Sequence, residues 1–176
     1  MRKLLILLAS GAALAASAAP GTAAGGPGCS DFLWPLETEL SWMKSADSEK
    51  VASGTTLAAP PKDKAIEIAL RPAGEVSFPA KPTSTPKPED KDAFGGIVTF
   101  EGNAEPIHYQ VTLSANGWID VVQNGIPLDA TGHTGSKDCD GLRKSVRFEV
   151  APGPFSIQVN GVRTTSIRIA LRPAAD

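Results

Sequence analysis

His108-Tyr-Gln-Val-Thr-Leu-Ser114, the pair Asn116-Gly117, Trp118-Ile-Asp-Val-Val-Gln-Asn-Gly125, the polar run Thr131-Gly-His-Thr-Gly-Ser-Lys-Asp-Cys-Asp-Gly141 and Arg143-Lys-Ser-Val-Arg-Phe-Glu-Val150 together form the stretch that decides the fold. Tyr109, Val111 and Leu113 fall on one parity, and so do Val146, Phe148 and Val150. An apolar repeat of two is the mark of a strand with one buried face. Asn-Gly is the strongest short signal for a two-residue hairpin turn. The stretch therefore predicts a β-hairpin around Asn116-Gly117, a long decorated loop, and a returning strand.

The same parity continues outward. Phe155, Ile157 and Val159 alternate after Pro152-Gly153, and Ile167, Ile169 and Leu171 alternate after Asn160-Gly161. Gly96–Glu101 and Ile66-Glu-Ile-Ala-Leu70 add strands on the N-terminal side. Short strands separated by frequent turns, each with one buried face, describe an all-β domain, an antiparallel β-sandwich or jelly roll. Ile66-Glu-Ile-Ala-Leu-Arg-Pro-Ala73 matches Ile167-Arg-Ile-Ala-Leu-Arg-Pro-Ala174. A duplicated domain would repeat more than one strand, so these read as two similar strands. If they pair antiparallel, Glu67 faces the arginines and the first and last strands close the sheet.

One helix precedes the sheet. Over Ser30–Ser45, Pro35 suits a first helical position and Leu36, Leu40 and Met43 share a face, with Phe32 and Trp34 just ahead. Glu37 and Glu39, two apart, point to different sides of a helix and read as solvated. Residues 79–92 are proline-rich and polar, and read as an exposed connection.

Arg2 and Lys3 before the apolar run Leu4–Ala19, ending in Ala16-Ser17-Ala18, fit a secretory signal peptide over residues 1–24. The expected organisation is that signal, an N-terminal segment 25–50 carrying the helix, and a sandwich over 51–176. The run is too interrupted to be retained as a membrane anchor. Losing two basic residues moves the formal charge from −2 to −4. That offers nothing to nucleic acid or an anionic membrane. The expected location is periplasmic or secreted, where the only cysteines, Cys29 and Cys139, form one disulfide.

No catalytic motif stands out. His108 and His133 lack metal-ligand spacing, although with Asp120, Asp129, Asp138 and Asp140 they could assemble a site in space. Ser136 lies near His133 and Asp138 without a nucleophile elbow around it. The residues that can bind rather than react are Trp118, His133, Lys137, Asp138, Asp140, Arg143 and Arg147. Trp118 is either a stacking platform for a sugar ring, if Ile119 and Val121 face inward, or core, the commoner fate of a strand aromatic. Arg143 and Arg147 share one side of their strand, where an anion contact competes with simple solvation.

Cys29-Ser-Asp-Phe-Leu-Trp-Pro-Leu36, Tyr109-Gln-Val-Thr-Leu113, Trp118–Gly125, Cys139 and Arg143–Val150 together resemble a group of small uncharacterised exported proteobacterial β-rich proteins. The resemblance covers most of the mature chain and brings no activity with it. Some members carry the label homogentisate 1,2-dioxygenase. This chain is too short for that enzyme's cupin architecture, and its two separated histidines do not match a His/His/Glu iron site. Phe148–Gly161 is also similar to the last hairpin of secreted accessory sandwiches of the pre-peptidase C-terminal type.

The reading that follows is an exported, non-catalytic sandwich, without cofactor, that binds a carbohydrate or an envelope protein through a disulfide-pinned loop. The alternatives are a small metal-dependent or hydrolytic enzyme built on His108, His133 and nearby aspartates, and a protein inhibitor or envelope stress protein.

Overall fold

The computed structural model describes residues 26–84 and 92–175 of the 176. The expected signal peptide lies outside the described residues, as does half of the proline-rich stretch, residues 85–91. A 3₁₀ turn at Cys29–Asp31 and helix α1 (Glu37–Lys44) lead into twelve strands. These are β1 (Ser48–Ala52), β2 (Thr55–Leu57), β3 (Ala65–Ala69), β4 (Arg71–Pro72), β5 (Phe94–Asn103) and β6 (Ile107–Leu113). There follow β7 (Trp118–Gln123), β8 (Ile126–Pro127), β9 (Ala130–Gly135), β10 (Lys144–Val150), β11 (Gly153–Val162) and β12 (Ser166–Pro173).

Two sheets face each other. The first has the order β1-β3-β12-β6-β10-β9 and the second β2-β5-β11-β7-β8, with β4 on the side of β5. The all-β sandwich with a short helix is thus the fold. Both sheets are mixed, because β1 runs parallel to β3 and β2 parallel to β5. The parity read from sequence is the core: Tyr109, Val111, Leu113, Val146, Phe148, Val150, Phe155, Ile157, Val159, Ile167, Ile169 and Leu171 are all buried between the sheets. The Phe155 ring stacks on Phe100 at 5.0 Å and meets Tyr109 at 5.4 Å.

The expected hairpin at Asn116-Gly117 does not form. β6 belongs to the first sheet and β7 to the second, so this turn carries the chain across the core as an arch. Phe148–Gly161 is no hairpin either, since β10 and β11 lie in opposite sheets. Backbone angles show the difference. Asn124 and Gly125 both have positive φ, 54° and 75°, and close a genuine hairpin between β7 and β8. Neither Asn116 nor Gly117 has a positive φ. Gly117 is needed for room, because a Cβ there would lie 2.9 Å from Val162 Cγ2.

The twin strands do pair. β12 runs antiparallel to β3 with Arg168 opposite Glu67, and the two side chains form an ion pair at 2.9 Å. They do not close the sheet, because β1 lies beyond β3. The hydrogen bond from Arg168 holds Glu67 below the ordinary carboxylate value of 4.5, against a smaller opposing effect of burial. A carboxyl depressed in the folded state stabilises above its unfolded pKa, and that contribution is lost as pH falls through the folded value. Stability therefore declines on acidification below about pH 4.5, and Glu67→Gln flattens the slope there. Urea titrations of both proteins at about pH 6 and about pH 3 check this, and identical slopes would refute it.

The helix is shorter than the sequence predicts. Residues 32–35 are pinned, bent rather than helical, on the outer face of the first sheet: the Leu33 amide donates to Thr134 Oγ1 at 3.0 Å and Trp34 Nε1 to Ser145 Oγ at 3.3 Å. α1 follows, packing Leu36, Leu40 and Met43 against Ala65 and Ala170 of the sheet and Cys139 and Leu142 of the long loop. Glu39 is not solvated, as expected, but wholly buried. It accepts from Gln110 Nε2 at 2.7 Å and from an Arg172 guanidinium nitrogen at 3.2 Å. The Cys29–Cys139 disulfide joins this N-terminal segment to the long loop. Gly28, with φ 76°, makes room for it, since a Cβ there would lie 2.6 Å from Asp138 Cβ.

Candidate functional site

The second sheet is narrower than the first where β7 runs. β8 pairs with β7 at Val122 and Gln123, and the Leu128 amide just after it donates to the Val121 carbonyl at 2.8 Å, leaving the edge from Trp118 to Asp120 without a neighbouring strand. The inner faces of β9 and β10 extend past that edge. The result is a groove of about 470 Å³ along the open seam of the sandwich. Ile119, Leu128, Val146 and Phe148 give it apolar walls, and Trp118, Asp129, His133 and Lys144 supply the aromatic and polar groups.

Trp118 faces away from the core, because Ile119 and Val121 take the inward parity. The core reading of this residue is therefore wrong, and the tryptophan remains 40% exposed. Its indole N–H donates to Thr83 Oγ1 at 2.7 Å and Asp120 Oδ1 at 3.0 Å. Asp120 is itself buried and also accepts from the Thr83 amide, the Thr83 hydroxyl and Gln158 Nε2. Thr83 of the proline-rich stretch is exposed, as expected, and is also bonded to the outer face of the second sheet. Ser84 adds a bond from Asn160 through its carbonyl. The consequence is an indole whose one polar atom is already satisfied and whose orientation is held from below, leaving ring surface to offer a ligand.

Lys144 shares the inward parity of Val146 and Phe148. Its ammonium sits 4.7 Å from the Trp118 ring centroid and donates to the Gly117 carbonyl at 3.1 Å. Burial pushes this ammonium below the ordinary lysine value. His133 stands opposite Val146 across the β9–β10 ladder and projects to the same side. The sequence reading passed over Lys144 and Leu128, and named Asp129 only as a possible metal ligand. Lys144 was detectable, being the polar member of an inward-facing row.

The other expected site residues go elsewhere. Lys137, Asp138, Asp140 and Arg143 meet around a second groove of about 500 Å³, with Asn116 and Arg163. Both charge signs are present there. Ser136 Oγ accepts from the Asp138 amide at 3.2 Å, a turn contact that shapes the loop. Arg147 lies on the opposite side of the first sheet from the seam. Its guanidinium stacks 4.2 Å over the Trp34 ring, and it donates to Gln110 Oε1 at 3.2 Å and to the Ala175 carbonyl at 3.0 Å. That overturns the expectation of a simply solvated arginine.

The two histidines do not converge. His108 is on the outer face of the first sheet beside Glu149, at 3.7 Å, while His133 is on the inner side. Among the described residues no group of three His, Cys, Asp or Glu side chains is placed to hold a metal ion. The disulfide is compatible with an oxidising compartment, and no described helix is long and apolar enough to cross a membrane. Comparisons with protein-family models, with curated proteins and with solved structures find no match for this chain.

Proposed function

We propose that the chain is an exported, non-catalytic β-sandwich that binds carbohydrate in the seam groove, with the Trp118 ring as its platform. The observation that carries this reading is an exposed tryptophan whose N–H is already engaged by Asp120 and Thr83. A ring held in place from below loses little freedom when a sugar stacks on it, so the contact is not diminished by an ordering cost. The apolar walls accept the C–H face of a pyranose, and His133, Asp129 and Lys144 are placed to meet its hydroxyls. The disulfide-pinned loop contributes through β9, whose inner side forms one flank. Trp34 is more buried than Trp118, and so offers less free ring.

Calorimetric titration of the oxidised, mature protein with cello-, chito- and uronate oligosaccharides tests the reading. Binding by at least one of them is expected, weakened by Trp118→Ala about 30-fold, the size of an aromatic hot spot of about 2 kcal/mol. Trp118→Phe, which keeps a ring and gives up the N–H, retains most of the affinity. Equal affinity in wild type and Trp118→Ala, or no saccharide bound at all, refutes it.

A further inference from the structure

We infer that the seam groove selects a saccharide carrying an anionic group, a uronic acid being the chemical class, with Lys144 taking the carboxylate while the sugar ring lies against Trp118. The inference rests on the carbohydrate reading above and adds the ligand's charge to it.

Four observations converge on Lys144. Its parity places the side chain inside the sandwich, at the open seam, rather than in solvent. Among the described residues its partners are one backbone carbonyl and an aromatic face, so the three ammonium protons are incompletely used. No carboxylate of the described residues pairs with it, whereas Lys64, Arg168 and Arg172 all have one. Its depressed pKa has burial as its cause, with no acid opposing the shift. A half-buried cation without a counter-ion gains most from an anion supplied by a ligand.

The neighbouring charges are compatible with this. Asp120 borders the groove, but its two oxygens are occupied by Thr83, Trp118 and Gln158. Asp129 is exposed, where solvent screens it. His133 is an added donor to a carboxylate from the facing wall. Lys144 also lies against the same indole that stacks the sugar. A pyranose bearing its carboxylate on a ring carbon can therefore reach both groups at once.

The test compares oligogalacturonate with its fully methyl-esterified counterpart, which keeps the sugar skeleton and removes the charge, and adds oligomannuronate as a second uronate. Each is titrated into oxidised wild type, Lys144→Gln, Lys144→Arg and Trp118→Ala. Expected are tighter binding of at least one uronate than of the ester, a loss of about tenfold for that uronate in Lys144→Gln, near-unchanged ester binding in the same variant, and rescue in Lys144→Arg. Trp118→Ala weakens acid and ester alike. Lys144→Gln weakening both ligands equally, or neither, overturns the inference. So does an absence of uronate binding in a protein that binds a neutral sugar through Trp118, an outcome that leaves the carbohydrate reading standing. A uronate held equally well by Trp118→Ala would instead sink the platform while keeping the role of Lys144.

Discussion

Arg172→Met destabilises the protein by about 3 kcal/mol, the lower end of the range for stripping one partner from a buried ion pair. Glu39 has no exposed surface, and its carboxylate is held by Gln110 on β6 and Arg172 on β12. With the guanidinium gone, a carboxylate remains between α1 and the sheet with a single amide donor. The loss is not larger because Arg172 is itself one-third exposed and Gln110 keeps its bond. Glu39→Leu combined with Arg172→Met recovers much of the loss, since removing both charges leaves only the Gln110 amide to be satisfied. Urea midpoints with the disulfide intact measure this. A single variant within about 0.5 kcal/mol of wild type would show that water reaches Glu39 readily.

Replacing Cys29 and Cys139 by serine costs about 4–5 kcal/mol in the chain-entropy view, because the bridge spans 110 residues. The crosslink holds together two otherwise distant pieces, the segment before α1 and the loop between β9 and β10. Around it Phe32, Leu36, Leu40 and Leu142 form a small apolar cluster of their own on the outer face of the first sheet. That cluster should survive in the folded variant, so the effect falls on the unfolded chain, which becomes free to expand. The expected signature is a lower urea midpoint, with near-UV circular dichroism of the folded protein nearly unchanged. A drop smaller than about 1 kcal/mol would mean that the oxidised unfolded chain is no more restricted than the reduced one.

The fold was legible in the sequence wherever a face repeats every two residues. Val146, Phe148 and Val150 announce their own burial, and so do Ile167, Ile169 and Leu171. What strand periodicity does not encode is which strand lies beside which. Asn116-Gly117 has the composition of a hairpin turn, but the partner of β6 is fixed by β10 and β12, far along the chain. Glu39 was legible in principle. It lies three residues after Leu36 in the row Leu36, Glu39, Leu40, Met43, on the apolar stripe of the helix, and its separation from Glu37 already implied that one of the two faces inward. Its burial depends on Gln110 and Arg172, which local reading cannot bring near it. The site divided in the same way. Trp118 and His133 were identifiable from residue type and parity, whereas the groove between them exists only because β8 is too short to cover β7.

The arches give the molecule a particular folding order. β6 leads into β7, β10 into β11 and β11 into β12 by crossing between sheets, so strands consecutive in the chain seldom pair. β3 pairs with β12, bringing Ile68 beside Ile167, and β5 pairs with β11, bringing Val98 beside Ile157. Contacts that close long loops are formed late and slowly. A chain still lacking Ser166–Pro173 leaves β3 and β6 without the strand that lies between them, and the first sheet stays divided until the last strand has been made.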